Sequence, residues 1–386
     1  MCRSGTARTC PETPATATPR PRDPGFVPRH TAPHRRTTPR HTAPHCATPH
    51  HRTSWTTGAF APRAARSGMD ELPLGTTGET VSPLCLGAMY FGSRTDPETS
   101  RAILDRYYEA GGRFLDTANI YATWVDGHDE PASEPFLGEW MADRGNRDEM
   151  FLATKVGFDY GDVPQSLDPD LIEREVEKSL DRLGTDYVDL LYAHVDDRET
   201  PLAETMAAFD RLVESGTVRH IGASNYHGWR LARANTLAEE RGLTEFSCVQ
   251  PRFSYLVPHR NADFAPQRPA TDELVTYCDD HDLTMLPYSP LLQGCYGRDD
   301  RRIPEGYVTT ENRLKMEAVQ DIAERKDASG NQVALAWMTQ RDPPTIPVVG
   351  YSSVEQLEEN IAALDLELSD AEMERLNGIE TLGGLQ

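Results

Sequence analysis

The sequence predicts an α/β fold of one closed unit, a (β/α)8 or TIM barrel with an N-terminal β-hairpin and a C-terminal helix. Three observations carry this expectation. Eight short apolar runs alternate with helical stretches, which implies parallel pairing. The first run leads into Gly87-Ala88-Met89-Tyr90-Phe91-Gly92, not into the GxGxxG by which an open doubly wound sheet holds a nucleotide. Polar residues gather instead at the ends of the second, third and fourth runs, as Asp116, Lys155 and His194. In a closed barrel those ends share the face where active sites lie.

The elements follow in order. Residues 74–81 read as a hairpin with glycine in the turn. The apolar runs are 84–87, 113–116, 150–155, 188–194, 218–223, 246–250, 284–288 and 345–349. Between them lie candidate helices at 98–110, 169–183, 202–215, 229–241, 271–282, 331–340 and 354–363. The stretch 170–183 sets Leu171, Val176, Leu180 and Leu183 at near-helical spacing with charges between them.

Composition bounds the function. The chain has 386 residues, and barrels routinely exceed about 250 as one unit. No apolar run approaches the roughly 20 residues of a membrane-crossing helix. The net charge is −22, yet residues 1–68 carry eleven Arg, no Lys and only Glu12 and Asp23 as acids. The body from Met69 onward is therefore strongly acidic. It repels nucleic acid and anionic membranes, so the expected partner is a small molecule. Any bound phosphate must be held locally, by backbone N–H groups and helix N-termini. Seven cysteines, odd in number and without a CxxC pair, suit reduced thiols in the cytoplasm.

Residues 1–68 are rich in Pro, Thr, His and Arg and have almost nothing to bury, so they read as a disordered extension. Transit-peptide and metal-binding readings compete there, but eleven prolines spoil an amphipathic helix and the histidines fix no geometry. The preferred reading is an extension upstream of a start at Met69, with the barrel over 69–386. No metal site is expected.

The polar strand ends suggest a chemistry. Carbonyl reduction needs a hydride at carbon and a proton at oxygen, from an acid within about 2.6–3.2 Å of that oxygen. A free tyrosine titrates near about 10, and a neighbouring ammonium lowers that value. A carboxylate behind the ammonium keeps it charged. Residues 114–121 (FLDTANIY), 151–155 (FLATK) and 190–194 (LLYAH) supply Asp116, Tyr121, Lys155 and His194. Singly, Asp116 reads as a turn or cap residue, Tyr121 as a half-buried aromatic and His194 as a satisfied strand-end histidine. Lys155 is more informative. The chain has four lysines against thirty-five arginines, and one of the four closes an apolar strand. An amine can shift its pKa there where a guanidinium cannot.

Together these residues resemble the aldo/keto reductases, over nearly all of 69–386. The resemblance rests on motifs in the family's order: Leu86-Gly87, Asp116-Thr117-Ala118 with Tyr121, Ala153-Thr154-Lys155, His194, Gly222-Ala223-Ser224-Asn225, Gln250, Tyr288-Ser289-Pro290-Leu291, and Gly350 through Leu357-Glu358-Glu359-Asn360. It implies NADPH-dependent, reversible reduction of an aldehyde or ketone, with NADH as a possible alternative. Asp116, Tyr121, Lys155 and His194 match the catalytic tetrad, with Tyr121 as general acid. Ser224, Asn225 and Gln250 match the residues that hold the nicotinamide carboxamide, and Tyr288 the aromatic under its ring. Ser289, Leu291, Gln293 and Gly294 fall along the pyrophosphate. Gly350, Ser352, Ser353, Gln356, Glu359 and Asn360 fall in the adenosine-phosphate site, where two serines before a helix can present N–H groups to phosphate.

Departures are informative. Ala122 follows Tyr121 where the family commonly has glycine. The loop 122–133 is long and acidic, and Trp124 within it is expected to line the substrate pocket. Asp196 and Asp197 after His194 would make the mouth acidic and disfavour anionic carbonyls. Between Arg341 and Arg375 there is no cation to grip a ribose phosphate, so weak NADPH preference is expected unless another loop supplies one. Two other readings exist: a cofactor-binding regulatory subunit without turnover, and a metal-dependent barrel hydrolase. The complete tetrad argues against the first, and the lack of histidines at other strand ends against the second.

Overall fold

A computed structural model describes residues 69–298 and 300–379. The expectation for residues 1–68 falls outside the described residues.

Strands β1 (Leu72–Pro73) and β2 (Thr80–Val81) form the antiparallel hairpin, with Leu72 opposite Val81. Its turn lies so close to the barrel that a Cβ on Gly75, at φ +52°, would stand 2.2 Å from Ser247 O. Only glycine fits there.

Eight parallel strands follow: β3 (Cys85–Gly87), β4 (Phe114–Asp116), β5 (Phe151–Val156), β6 (Val188–Ala193), β7 (Val218–Ser224), β8 (Cys248–Gln250), β9 (Thr284–Met285) and β10 (Val348–Val349). Each pairs with the next from β3 to β9, and β10 pairs with β3. Closure comes from Ile346 N donating to Met285 O at 3.1 Å and Val348 N to Pro287 O at 2.8 Å. The strand order is that of a (β/α)8 barrel. Strand β10 begins later than expected because the N–H and hydroxyl of Thr345 both donate to Met338 O instead of to a strand neighbour.

Helices α1 (Pro97–Glu109), α2 (Ser133–Arg144), α3 (Pro169–Leu183), α4 (Leu202–Glu214), α5 (Gly228–Arg241), α6 (Asp272–Asp280), α7 (Thr310–Lys326), α8 (Gly330–Gln340) and α9 (Val354–Ile361) lie between and after the strands. The C-terminal helix α10 spans Asp370–Asn377. Start signals are local. Asp96 and Asp168 accept from backbone N–H groups ahead of a proline in the first turn, and Ser329 forms a capping box with Gln332. Helices α2 and α7 lack a clean stripe. Helix α2 buries Phe136, Leu137, Trp140 and Met141, and a Cβ on its Gly138 would stand 2.7 Å from Leu183 O. Helix α7 is nearly half charged and buries Ala318, Val319, Ile322 and Ala323.

The core has two layers set by strand parity. Leu115, Leu152, Leu191 and Val249 join the layer between sheet and helices. Phe114, Ala153, Leu190, Tyr192 and Cys248 join the barrel interior, where Leu72, Leu74 and Val81 of the hairpin also pack.

Candidate active site

Parity places the chemistry. Two residues beyond Phe114 on the same face stands Asp116, two beyond Ala153 stands Lys155, two beyond Tyr192 stands His194, and two beyond Cys248 stands Gln250. The apolar interior thus ends in a polar layer at the C-terminal face.

Lys155 is fully buried and Asp116 is 2% exposed. The Lys155 Nζ donates to Asp116 Oδ1 at 2.5 Å, Thr117 O at 2.7 Å and Tyr121 OH at 2.9 Å. Its three protons have three acceptors. Burial opposes the Lys155 charge, but Asp116 and Tyr121 outweigh it and hold the amine above the ordinary lysine value. Burial pushes the Tyr121 phenol up, and the Lys155 ammonium pulls it partly back. Gln250 Nε2 donates to the second oxygen of Asp116 at 2.8 Å. The His194 ring stands 5.8 Å from the Tyr121 ring and 4.6 Å from Phe158, edge to face in both cases. Burial and the Lys155 charge press His194 well below its usual value, so it is neutral. Its buried Nδ1 has no partner.

The turn carrying Tyr121 is fixed on several sides. Asn119 N donates to Lys155 O at 3.1 Å. Thr117 Oγ1 meets Ser133 Oγ at 2.8 Å. Asn119 Nδ2 donates to Glu175 Oε2 at 3.1 Å, and the same oxygen takes the Tyr160 hydroxyl at 2.5 Å. Ala122 is fully buried at φ +79°, a left-handed conformation that glycine adopts freely and alanine does not. Glu175 and Ser133 were not legible as site supports. The one signal for Glu175 is a carboxylate within the buried stripe Leu171, Ile172, Val176 of α3.

Beside the tetrad, Ser224 and Gln250 are register partners, and Ser224 Oγ donates to Gln250 O at 2.9 Å. Asn225, left-handed at φ +59°, donates to His194 O at 2.9 Å and accepts from Tyr288 OH at 2.8 Å. The four residues expected around a nicotinamide therefore meet one another and, through Gln250, Asp116. After β9, Leu291 is right-handed at φ −97° while Ser289, Leu292 and Gln293 are left-handed at φ 55°, 47° and 63°. Within this turn the Leu292, Gly294 and Cys295 N–H groups donate to Ser289 O and Leu291 O. Ser353 caps α9, accepting from Gln356 N, whereas the Ser352 hydroxyl donates to Gln356 Oε1. Asn360 is buried in α9, two residues after Glu358, whose carboxylate pairs with Arg106. Gly350 directly follows β10.

One residue was missed. The side chain of Arg298 reaches back over Gly294, its Cδ 2.9 Å from where a Cβ on that glycine would lie. The carboxylates of Asp300 and, less strongly, Glu359 raise its pKa. Glu359 also accepts from Ser329 Oγ at 2.5 Å. A cation outside 341–375 therefore stands beside Gly294, its guanidinium held by both carboxylate oxygens of Asp300 at 2.9 and 2.8 Å. The site gives one correction as well. Asp196 and Asp197 do not make an acidic mouth. Asp196 pairs with Arg198 at 2.5 Å and Arg230 at 2.8 Å. Asp197 is buried and accepts from Leu167 N and Glu199 N, both at 2.8 Å. Its carboxyl is held at about 2, where burial would raise it but these bonds prevail.

Trp124 is 47% exposed and stands edge to face with Tyr121 at 6.1 Å and Tyr90 at 6.4 Å. Among the described residues no group of three or more His, Cys, Asp or Glu is placed to hold a metal ion, and no helix is long and apolar enough to cross a membrane.

Comparison with known proteins agrees with this arrangement. The model of the aldo/keto reductase family matches residues 83–381. The norsolorinic acid reductase stcV of Emericella nidulans is 37% identical over 316 residues, 77% of this chain and 77% of that protein. The uncharacterized oxidoreductase YrpG of Bacillus subtilis is 36% identical over 325 residues, 81% of this chain and 96% of that protein. An aryl-alcohol dehydrogenase [NADP(+)] of Phanerodontia chrysosporium is 31% identical over 332 residues, 77% of this chain and 82% of that protein. The chain belongs to the aldo/keto reductase family and is an oxidoreductase of that type.

Proposed function

We propose that the protein reduces an aldehyde or ketone to the alcohol, reversibly, with Tyr121 as general acid and Lys155, Asp116 and His194 in support. The observation that carries this is the buried Lys155 ammonium joining Tyr121 OH, at 2.9 Å, to Asp116, at 2.5 Å. A substrate oxygen beside Tyr121 receives its proton. The Lys155 charge stabilises the tyrosinate left behind. Neutral His194 can orient the same oxygen by donating from its ring. Asp116, braced by Gln250, keeps the ammonium in place.

The cofactor in this reading is NADPH, with NADH as a weaker alternative; when bound, it supplies the hydride. The residues fit such a group. Ser224, Asn225, Gln250 and Tyr288 would hold the nicotinamide end. Ser289, Leu291, Gln293 and Gly294 would hold the pyrophosphate. Gly350, Ser352, Ser353, Gln356, Glu359 and Asn360 would hold the adenosine end, with Arg298 as the cation for phosphate. Asn331 lies beside Gly297, and its buried Oδ1, without a partner among the described residues, supports a polar ligand in this stretch.

The substrate is an uncharged small-molecule carbonyl at its reacting end, with Trp124 lining the pocket. The name of one relative, the aryl-alcohol dehydrogenase, favours an aryl compound. The reduced thiols of Cys85, Cys248, Cys278 and Cys295 suit the cytoplasm. The test is consumption of NADPH with an aryl aldehyde. Absence of turnover across an aldehyde and ketone panel would overturn the reading.

A further inference from the structure

The aromatic side of the site does not end at Trp124. Tyr121 meets Trp124, Trp124 meets Tyr90 at 6.4 Å, and the Arg94 guanidinium lies 4.3 Å from the centre of the Tyr90 ring. Arg94 is exposed and makes no ion pair or hydrogen bond with any described residue. The backbone turn that carries it is fixed. Tyr90 O accepts from Ser93 N at 3.2 Å, Ser93 Oγ at 3.0 Å and Thr95 N at 3.0 Å, which closes a tight turn over 90–95. Gly92, at φ +69°, lets that turn press on Phe136. A guanidinium on a rigid turn, stacked on a ring and free of carboxylates, is a prepared site for a planar anion.

We infer that Arg94 is a specificity-determining residue: it binds a carboxylate or other planar anionic group at the far end of a fused-ring aryl carbonyl whose reacting carbon lies at Tyr121. This rests on the reductase reading and adds the charge of the substrate to it. The aryl body would run along Trp124 and Tyr90, where edge-to-face contacts suit flat rings. Two facts decide against a mouth hostile to anions. Asp196 and Asp197 are consumed by Arg198, Arg230 and backbone N–H groups. Asp126, Asp129 and Glu130 are exposed on the loop and none pairs with Arg94. Solvent and salt screen such carboxylates, and a bidentate contact adds geometric fit to the Arg94 charge.

The test compares 6-carboxy-2-naphthaldehyde with its methyl ester, in the wild type and in Arg94→Met and Arg94→Lys. The wild type should favour the carboxylate. Arg94→Met should lower the ratio of kcat/KM for acid over ester by roughly ten- to a hundred-fold, the usual effect of losing a hydrogen bond to a charged group. The loss should sit in KM, not kcat, and Arg94→Lys should restore part of it. An acid-to-ester ratio that Arg94→Met leaves unmoved, or a wild type that favours the ester, overturns the inference while the reductase reading stands. If the wild type reduces neither compound with NADPH or NADH, both fall together.

Discussion

The fully buried Lys155 Nζ stands 2.9 Å from the OH of the half-buried Tyr121. The phenol is pulled two ways. Burial raises its pKa and the ammonium lowers it, with burial the larger influence. Removing the ammonium leaves burial unopposed. Lys155→Met should therefore move the alkaline limb of the pH–rate profile for reduction to higher pH and lower kcat. It also strands the buried Asp116 carboxylate, so stability should fall by about 3–5 kcal/mol. An unmoved alkaline limb in a folded variant would make Lys155 structural.

Ala122 tests the strain beside the proton donor. A non-glycine residue at positive φ costs of order 1–2 kcal/mol. Ala122→Gly relieves that, but glycine adds about 0.4–1 kcal/mol of unfolded-state freedom. Urea unfolding should therefore show Ala122→Gly within about 1 kcal/mol of wild type. Ala122→Val adds β-branching at a fully buried left-handed position and should lose about 2 kcal/mol or more. A valine variant as stable as wild type would mean that the turn does not hold φ +79°.

Glu175 should act by position. It anchors Asn119, three residues from Asp116 and two from Tyr121, and burial opposes its charge while Lys178, Tyr160 and Asn119 hold it below the usual carboxylate range. Glu175→Gln should lower kcat by roughly ten- to a hundred-fold through a displaced Tyr121, since small misplacements have that effect. The pH profile should keep its midpoints. A shifted midpoint would mean that Glu175 titrates with the reaction.

Acid should unfold the protein partly through His194. Its folded pKa lies well below 6.5, so the unfolded chain binds the proton first. Stability is present above about pH 6.5 and is lost as pH falls toward the folded value. Asp197 follows at lower pH, between its unfolded value near 3.8 and its folded value of about 2. His194→Gln should flatten the fall in melting temperature between about pH 6.5 and 5. An unchanged slope there would place the acid sensitivity elsewhere.

The proposed cofactor site makes Arg298 the cation that favours NADPH. Arg298→Gln should weaken NADPH binding by roughly ten- to a hundred-fold and NADH binding much less, measured as dissociation constants at one ionic strength. Equal losses for both would move Arg298 from the ribose phosphate to the shared pyrophosphate.

Much of this was legible in the sequence because strand parity is short-range. Asp116, Lys155, His194 and Gln250 each sit two residues beyond an inward apolar residue, so finding the strands found the polar layer. The hairpin and the proline-led helix starts were legible for the same reason. Helices α2 and α7 were harder, because α2 is buried on several faces and α7 shows only a short buried face, 318–323, amid charged residues. Contacts between distant segments left no local trace. The pairing of Asp196 with Arg230 and of Asn119 with Glu175, and the reach of Arg298 over Gly294, depend on how separate loops meet at one end of the barrel. The acidity expected from Asp196 and Asp197 failed on that ground, since two adjacent aspartates give a charge but not its partner, while the loop acids Asp126, Asp129 and Glu130 stay exposed.

The central claim is that Tyr121 gives the proton. The direct measurement is single-turnover reduction of an aryl aldehyde with NADPH by wild type and Tyr121→Phe, with NADPH binding measured alongside. Among the described residues the phenol is the only hydroxyl that Lys155 Nζ donates to. General acid catalysis contributes about 10²–10⁴-fold, so Tyr121→Phe should lose at least that much rate while binding NADPH nearly as well. A variant that binds NADPH and keeps more than about a tenth of the wild-type rate would contradict the account, because that loss lies far below the range for a general acid.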